Sequence, residues 1–215
     1  MLVELLMNPK KYYYSVGLAD TDPVRTAEIK IRRSVFICSL AYASSIESAK
    51  VFISKVAKEN KTATHNCWAY IVGEQGEISH CSDAGEPAGT AGKPMLNTLT
   101  SHDMTRVAAV VTRHFGGVKL GVRGLIQAYA ESVEAAICTE KLVRLVNCQA
   151  FTVQLAYDFN DIFLNLAARF DPRYRDTRYS QIVEHDLEVE QDQVPEFIRL
   201  LTEYRDQGRL SFELC

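Results

Sequence analysis

DAGEPAGTAGKPMLNTLTSHDMTRVAAVVTRHFGGVKLGVRGLIQAY, residues 83–129, decides how the chain folds. It gathers seven of the eleven glycines into two clusters: Gly85, Gly89 and Gly92, then Gly116, Gly117, Gly121 and Gly124. Between them, RVAAVVTRHF carries a continuous apolar run rather than an alternating one, which reads as a strand buried on both faces. Each cluster feeds a helical segment. The first starts between Asp83 and Gly92, runs through Met95 and Leu99 and breaks at Ser101–Asp103. The second, LGVRGLIQAYAESVEAAICTEK, sets Leu125, Ile126, Tyr129, Val133, Ala136 and Ile137 at helical spacing. Two shaped loops therefore flank one buried strand.

The clusters are not nucleotide fingerprints. A P-loop needs a glycine five residues before Gly92–Lys93 and a Ser or Thr after it, and those positions hold Pro87 and Pro94; no GxGxxG occurs. What remains is generic: backbone amides at a glycine-rich helix start, with Lys93, Arg113, Lys119 and Arg123 nearby, hold phosphate groups. The same glycines equally serve tight turns and close helix-to-sheet packing. Asp83 and Glu86, with His114, are the candidate polar site. The two carboxylates have the types for acid–base work or metal binding, but carboxylates just before a helix more often cap it, and a salt link to Arg113 or Lys119 serves the same end. His65, Cys67 and His80 are metal-ligand types. They share one face if a four-residue turn sets Val72 opposite Glu77, yet a structural zinc wants a fourth ligand, so no metal, cofactor or catalytic residue is expected.

Outward from this stretch, YYYSVGL and VRTAEIKIRRSVFICSL read as strands. Ser44 and Glu47 form the pattern of a capping box for a helix, SSIESAKVFISKVAKEN, with apolar face Ile46, Ala49, Phe52, Ile53 and Val56. THNCWAYIV and EISHC read as a hairpin. Trp68, Tyr70 and Tyr12–Tyr14 are able to stack on bases, although aromatic residues in strands more often pack. The composition shifts near Asn147. Beyond it FTVQLAYD, DIFLNLAARF, RYSQI, VEHDLEVE, VPEFIRLLTEYRDQ and GRLSFEL read as β-α-β-β-α-β, the ferredoxin-like arrangement. The expected domains are 1–147 and 148–215.

Bulk properties agree with a folded protein. Its 215 residues are 47% hydrophobic, which suffices for a sizeable core, and no apolar run is long enough to span a bilayer. The start, MLVELLMNPKKYYY, has its lysines after its apolar residues and no small-residue cleavage site, so no secretory signal is expected and the chain reads as cytoplasmic. Six cysteines without a CxxC pair read as reduced thiols. Net charge is −3, unevenly placed: residues 1–147 hold 17 Lys and Arg against 14 Asp and Glu, and residues 148–215 hold 7 against 13. The first part suits a polyanion better than the second.

The residues that have now been quoted carry a resemblance to the YigZ/IMPACT family, most closely its bacterial YigZ-like members. SVFI at 34–37, the H-x-C-x-A pattern of His65, Cys67 and Ala69, GEPAGTAGKP at 85–94 and TRHFGGVKLGVRGLIQAY at 112–129 carry it. The resemblance implies an α+β protein whose first domain is similar to the fourth domain of the ribosomal translocase and whose second, ferredoxin-like domain is similar to the fifth. It implies kinship with eukaryotic regulators of translation that bind partner proteins, and with bacterial members thought to bind nucleic acid or the ribosome. The chain departs from the usual pattern at Ala84, His114 and the pair Arg123 and Gln127. Positions 123 and 127 share a helix face, so a positive charge is kept near one spot. The resulting expectation is a non-enzymatic protein that binds RNA or the ribosome through the basic glycine-loop face. An enzyme acting on a small phosphorylated or carboxylated ligand, using Asp83, Glu86 and Lys93, and a protein-partner scaffold are the alternatives.

Overall fold

The computed structural model describes residues 12–215. The start of the chain, read above as carrying no secretory signal, lies mostly outside the described residues. No described helix is long and apolar enough to cross a membrane. The fold is α+β, in two compact units: residues 13–145, and residues 146–215 together with Tyr12.

The first unit is built on a five-stranded antiparallel sheet. Its strands are β2 (Arg25–Ile31), β3 (Ser34–Tyr42), β4 (His65–Val72), β5 (Ile78–Ser82) and β6 (Val107–His114), in the order β2-β3-β6-β4-β5. The apolar run is thus the central strand, and its residues from Val107 to Arg113 are all buried. Helices cover both faces. Val107, Ala109 and Val111 of β6 face α2 (Gly92–Ser101) and α3 (Gly121–Ile137), packing with Met95, Leu99, Leu125, Tyr129 and Val133. Ala108 faces α1 (Ile46–Glu59), where Ala49, Phe52 and Ile53 meet Tyr70 and Val72. A short ladder pairs β1 (Tyr12–Ser15) with β7 (Val143–Val146), a strand that the sequence pattern did not reveal.

Three local expectations need correction. Helix α1 is capped by Ser45, whose hydroxyl accepts from the Ser48 amide while the Ser48 hydroxyl accepts from the Ser45 amide. Ser44 instead bonds Asp20. Ile126 is 40% exposed, whereas its helical neighbours Leu125 and Tyr129 are buried. The third correction concerns the β4–β5 hairpin, which pairs Val72 with Ile78 rather than Glu77. Glu77 is drawn into the loop, its carboxylate accepting from the Gln75 amide at 2.9 Å, so the turn is one residue longer. That single step moves His80 opposite Tyr70, on the sheet face away from Cys67. The three-ligand arrangement does not form, and the described residues contain no metal-binding cluster.

The second unit is a four-stranded antiparallel sheet, β8 (Cys148–Leu155), β9 (Arg173–Tyr179), β10 (Val183–Glu190) and β11 (Leu210–Leu214), in the order β11-β8-β10-β9. With α4 (Tyr157–Ala167) and α5 (Val194–Asp206) the chain order is βαββαβ, the ferredoxin-like topology. β9 begins at Arg173, earlier than RYSQI implied, because Ser180–Ile182 form the turn into β10. Along β10, Val183, His185, Leu187 and Val189 point into the core while Glu184, Asp186, Glu188 and Glu190 point away.

His185 is 2% exposed, between Asn160 Oδ1 and Thr177 Oγ1 at 2.9 Å each, with Phe163 stacked on its ring. Burial holds its pKa below the usual 6.5. A histidine with a depressed folded pKa binds fewer protons than the unfolded chain, so its contribution is present above about pH 6.5 and is lost on acidification. Urea unfolding of the second unit is expected to show stability falling from about pH 7.5 to pH 5.5, and His185→Gln should flatten that slope. An unchanged slope in the variant would assign the pH dependence to other groups.

Candidate functional site

The first glycine cluster folds back on an anion of its own. Helix α2 begins after Ala91, which has no capping side chain. The cap comes from Asp83, whose Oδ1 accepts from the Ala91 and Gly92 amides at 2.9 Å and whose Oδ2 accepts from the Gly89 amide at 2.8 Å. Burial alone would raise the Asp83 pKa, but the three amides together hold it below its ordinary value. Gly92 is required here: a Cβ on it would lie 2.8 Å from the Ser82 backbone. The amides expected to receive a phosphate are therefore occupied by Asp83, and Lys93 stands exposed on the first turn of α2 near Cys81.

Glu86 takes a different path. It is 8% exposed, and its Oε1 accepts from Arg113 Nη1 at 2.5 Å and from the Tyr129 hydroxyl at 2.9 Å. His65 Nε2 lies 4.0 Å from the same oxygen, while His65 Nδ1 donates to the Ala84 carbonyl at 3.0 Å. Cys67 completes the cluster, its Sγ 2.8 Å from the Asp83 carbonyl and 3.3 Å from Tyr129 Oη. Burial pushes the Cys67 thiol up to about 12 and the Tyr129 phenol above its ordinary value, so both are proton-bearing packing groups at neutral pH. Arg113 is enclosed as well: its guanidinium lies 5.4 Å from the Phe36 ring centre and 5.3 Å from that of Phe115. Asp83 and Glu86 are thus assigned to separate structural tasks, one on α2 and one on β6. His114 follows Arg113 on β6 and so points to the α1 face, away from Glu86.

The second cluster shapes the rim. Gly116 packs against the β2–β3 turn so closely that a Cβ would come within 1.7 Å of the Arg33 carbonyl oxygen. The Arg32 guanidinium crosses over to donate to the Lys119 carbonyl at 3.1 Å. The sequence reading missed Arg32 and Arg33, since a two-residue turn carries no signal that it meets a loop more than eighty residues away. Between this rim and Glu86 opens a cleft of about 430 Å³. Pro87, Phe115, Leu120, Val122 and Leu125 line its sides, Glu86 and Arg113 its floor, and His65 and Lys119 its edges. Of the basic residues singled out above, Arg113 and Lys119 reach the cleft; Arg123 is exposed on the first turn of α3 beside it, and Lys93 is elsewhere.

An α+β protein of two units, with a self-capped glycine loop, a buried Glu–Arg–Tyr cluster and a second glycine loop bearing arginines and lysine, is the class that these features define. Residues 32–137, which hold both glycine loops and the buried cluster, match the Impact N-terminal domain. The chain belongs to the IMPACT family. It is 39% identical over 181 residues to the IMPACT family member YvyE of Bacillus subtilis, covering 82% of this chain and 81% of that one. It is 35% identical over 95 residues to Protein IMPACT of Homo sapiens, covering 42% of this chain but 29% of the human one. A solved crystal structure of a hypothetical protein is 30% identical and superposes with a TM-score of 0.58 over 94% of this chain and 96% of that one.

Proposed function

We propose that the protein acts in the control of translation by binding RNA, alone or within the ribosome, through the second glycine loop and the β2–β3 turn. The observation that carries this reading is a set of cations without anionic partners. Arg32, Arg33, Lys119 and Arg123 are all exposed, and none of them pairs with a carboxylate among the described residues. Unpaired cations beside a cleft that carries the Phe115 ring suit a flexible polyanion with stackable faces. Family membership supports a role in translation, as the resemblance to eukaryotic regulators implies. The reading is narrower than the sequence expectation, since the first glycine cluster and Lys93 drop out of the binding face. The small-ligand enzyme reading weakens for the same reason: Asp83 is held by three amides, and Glu86 by Arg113 and Tyr129.

Electrostatic binding of this kind releases counterions. If four phosphates are neutralised, affinity for a mixed-sequence single-stranded RNA should fall about 50-fold between roughly 50 and 200 mM salt. The double variant Arg32→Ala/Lys119→Ala should lower the salt slope by about 1.4, because each contact with a single strand contributes about 0.7. Fluorescence anisotropy of the full chain with labelled RNA reads both quantities. Salt-independent binding, or a double variant with the parent slope, would remove the reading.

A further inference from the structure

Resting on that reading, we propose that the cleft holds one unstacked guanine base, recognised by the free oxygen of Glu86. Both acceptor sites of Glu86 Oε1 are taken, by Arg113 and Tyr129, whereas Oε2 accepts nothing among the described residues. Oε2 is not among the enclosed polar atoms that lack partners, so the small exposure of this side chain includes that oxygen, in a residue lining the cleft floor. A carboxylate oxygen opening onto an apolar cleft has lone pairs left for a donor that enters the cleft. The rim excludes the simplest donor, a free cation, because Arg32, Lys119 and Arg123 repel it. A neutral donor attached to an anionic chain meets both conditions.

Among the bases, guanine offers two adjacent donors on one edge, N1–H and N2–H. Adenine, cytosine and uracil each set an acceptor beside their donor, and that lone pair would face the carboxylate. The walls suit the rest of a base. The Phe115 ring is 44% exposed and backed by the Arg113 guanidinium at 5.3 Å, which gives a stacking platform, and Pro87, Leu120 and Val122 supply apolar lining. The phosphates on either side of the base then fall to Lys119 and the Arg32–Arg33 turn. The assignment makes the contact specific for a base, where the cations alone would bind any sequence.

The test uses the full chain and a labelled uridine decamer with one central guanosine, adenosine or inosine. The guanosine RNA should bind about tenfold more tightly than the adenosine RNA, with inosine between them because it lacks the N2 amine. Glu86→Gln keeps an acceptor for Arg113 and Tyr129 and puts an N–H donor where Oε2 stands, so its preference should turn toward adenosine. Phe115→Ala removes a half-exposed ring that flanks the Arg113 guanidinium but leaves the Glu86–Arg113–Tyr129 bonds in place, and it should cost the guanosine RNA roughly tenfold, which keeps the test sound if the Gln variant does not fold. Equal, salt-sensitive affinity for guanosine and adenosine would overturn the guanine site and leave the RNA reading standing. GMP bound in preference to AMP without RNA binding would uphold the site and remove the RNA reading. No binding of either RNA or of GMP would overturn both.

Discussion

Glu86→Ala is expected to destabilise the first unit by about 3–5 kcal/mol, the cost of leaving a buried charge without its partner. The side chains of Glu86 and Arg113 are 3% and 6% exposed, and the Tyr129 hydroxyl donates to the same carboxylate oxygen. Removing Glu86 therefore strands a guanidinium whose Nε already lacks a partner, together with a phenol. A loss of that size is a large part of the stability of an ordinary domain, and the thermal midpoint should fall by on the order of 10 °C. Replacing both partners by apolar groups, Glu86→Met with Arg113→Met, should recover most of the loss, since no charge then stays buried. Denaturant unfolding of the single and double variants measures the difference. A single variant within about 1 kcal/mol of the parent would show that water reaches Arg113 freely, and the enclosed cluster would have to be abandoned.

Gly116→Ala should be comparably severe, by a different route. The added methyl would meet the Arg33 carbonyl oxygen at 1.7 Å and its carbonyl carbon at 2.0 Å, and both are backbone atoms that cannot swing aside. The β2–β3 turn and the second glycine loop must then separate. The Gly116 amide loses its bond to the Ser34 hydroxyl, now 3.3 Å away, and Arg32 leaves the Lys119 carbonyl. A destabilisation of about 3 kcal/mol is expected from backbone displacement of this kind, and the RNA salt slope should fall along with it. Gly117→Ala is the control: open space surrounds its Cβ position, so its penalty is limited to the left-handed backbone at φ +80°. Similar unfolding midpoints for the two variants would mean that close approach at Gly116 is not what joins the turn to the loop.

The sequence made the architecture readable because its signals are local. VAAVV announced a strand covered on both sides, the spacing of Leu125, Tyr129 and Val133 announced the face of α3, and the order of elements after Asn147 announced the ferredoxin-like unit. The site was readable only in parts, because its partners meet across the chain. Tyr129 sits at a helical core position and was read as packing; nothing nearby shows that its hydroxyl reaches a carboxylate 43 residues earlier. Arg113 reads from sequence both as a cation for a ligand and as a salt-link partner for Asp83 or Glu86, and the fold selects the pair with Glu86, which spacing alone did not single out. The hairpin error has the same origin on a smaller scale: one side chain, Glu77, turned into the loop and shifted the register by one residue. Local periodicity reports which way a residue faces, and only the tertiary fold reports what it faces.

The alternation along β10 also protects the second unit from misassembly. Its inward row is Val183, His185, Leu187 and Val189, and its outward row is Glu184, Asp186, Glu188 and Glu190. A slip of one residue against β8 would exchange the rows, sinking four carboxylates into a hydrocarbon interior while three aliphatic side chains went to water. Each buried, unpaired carboxylate costs several kcal/mol, so the shifted pairing lies above the native one by more than the whole stability of a domain of this size. In the native register Arg178 answers Glu184 and Asp186, and Arg175 answers Glu188, so three of the four carboxylates that guard the pairing have an arginine partner. Acidity in this unit is thus a proofreading device for strand pairing, written as every second letter of one eight-residue strand.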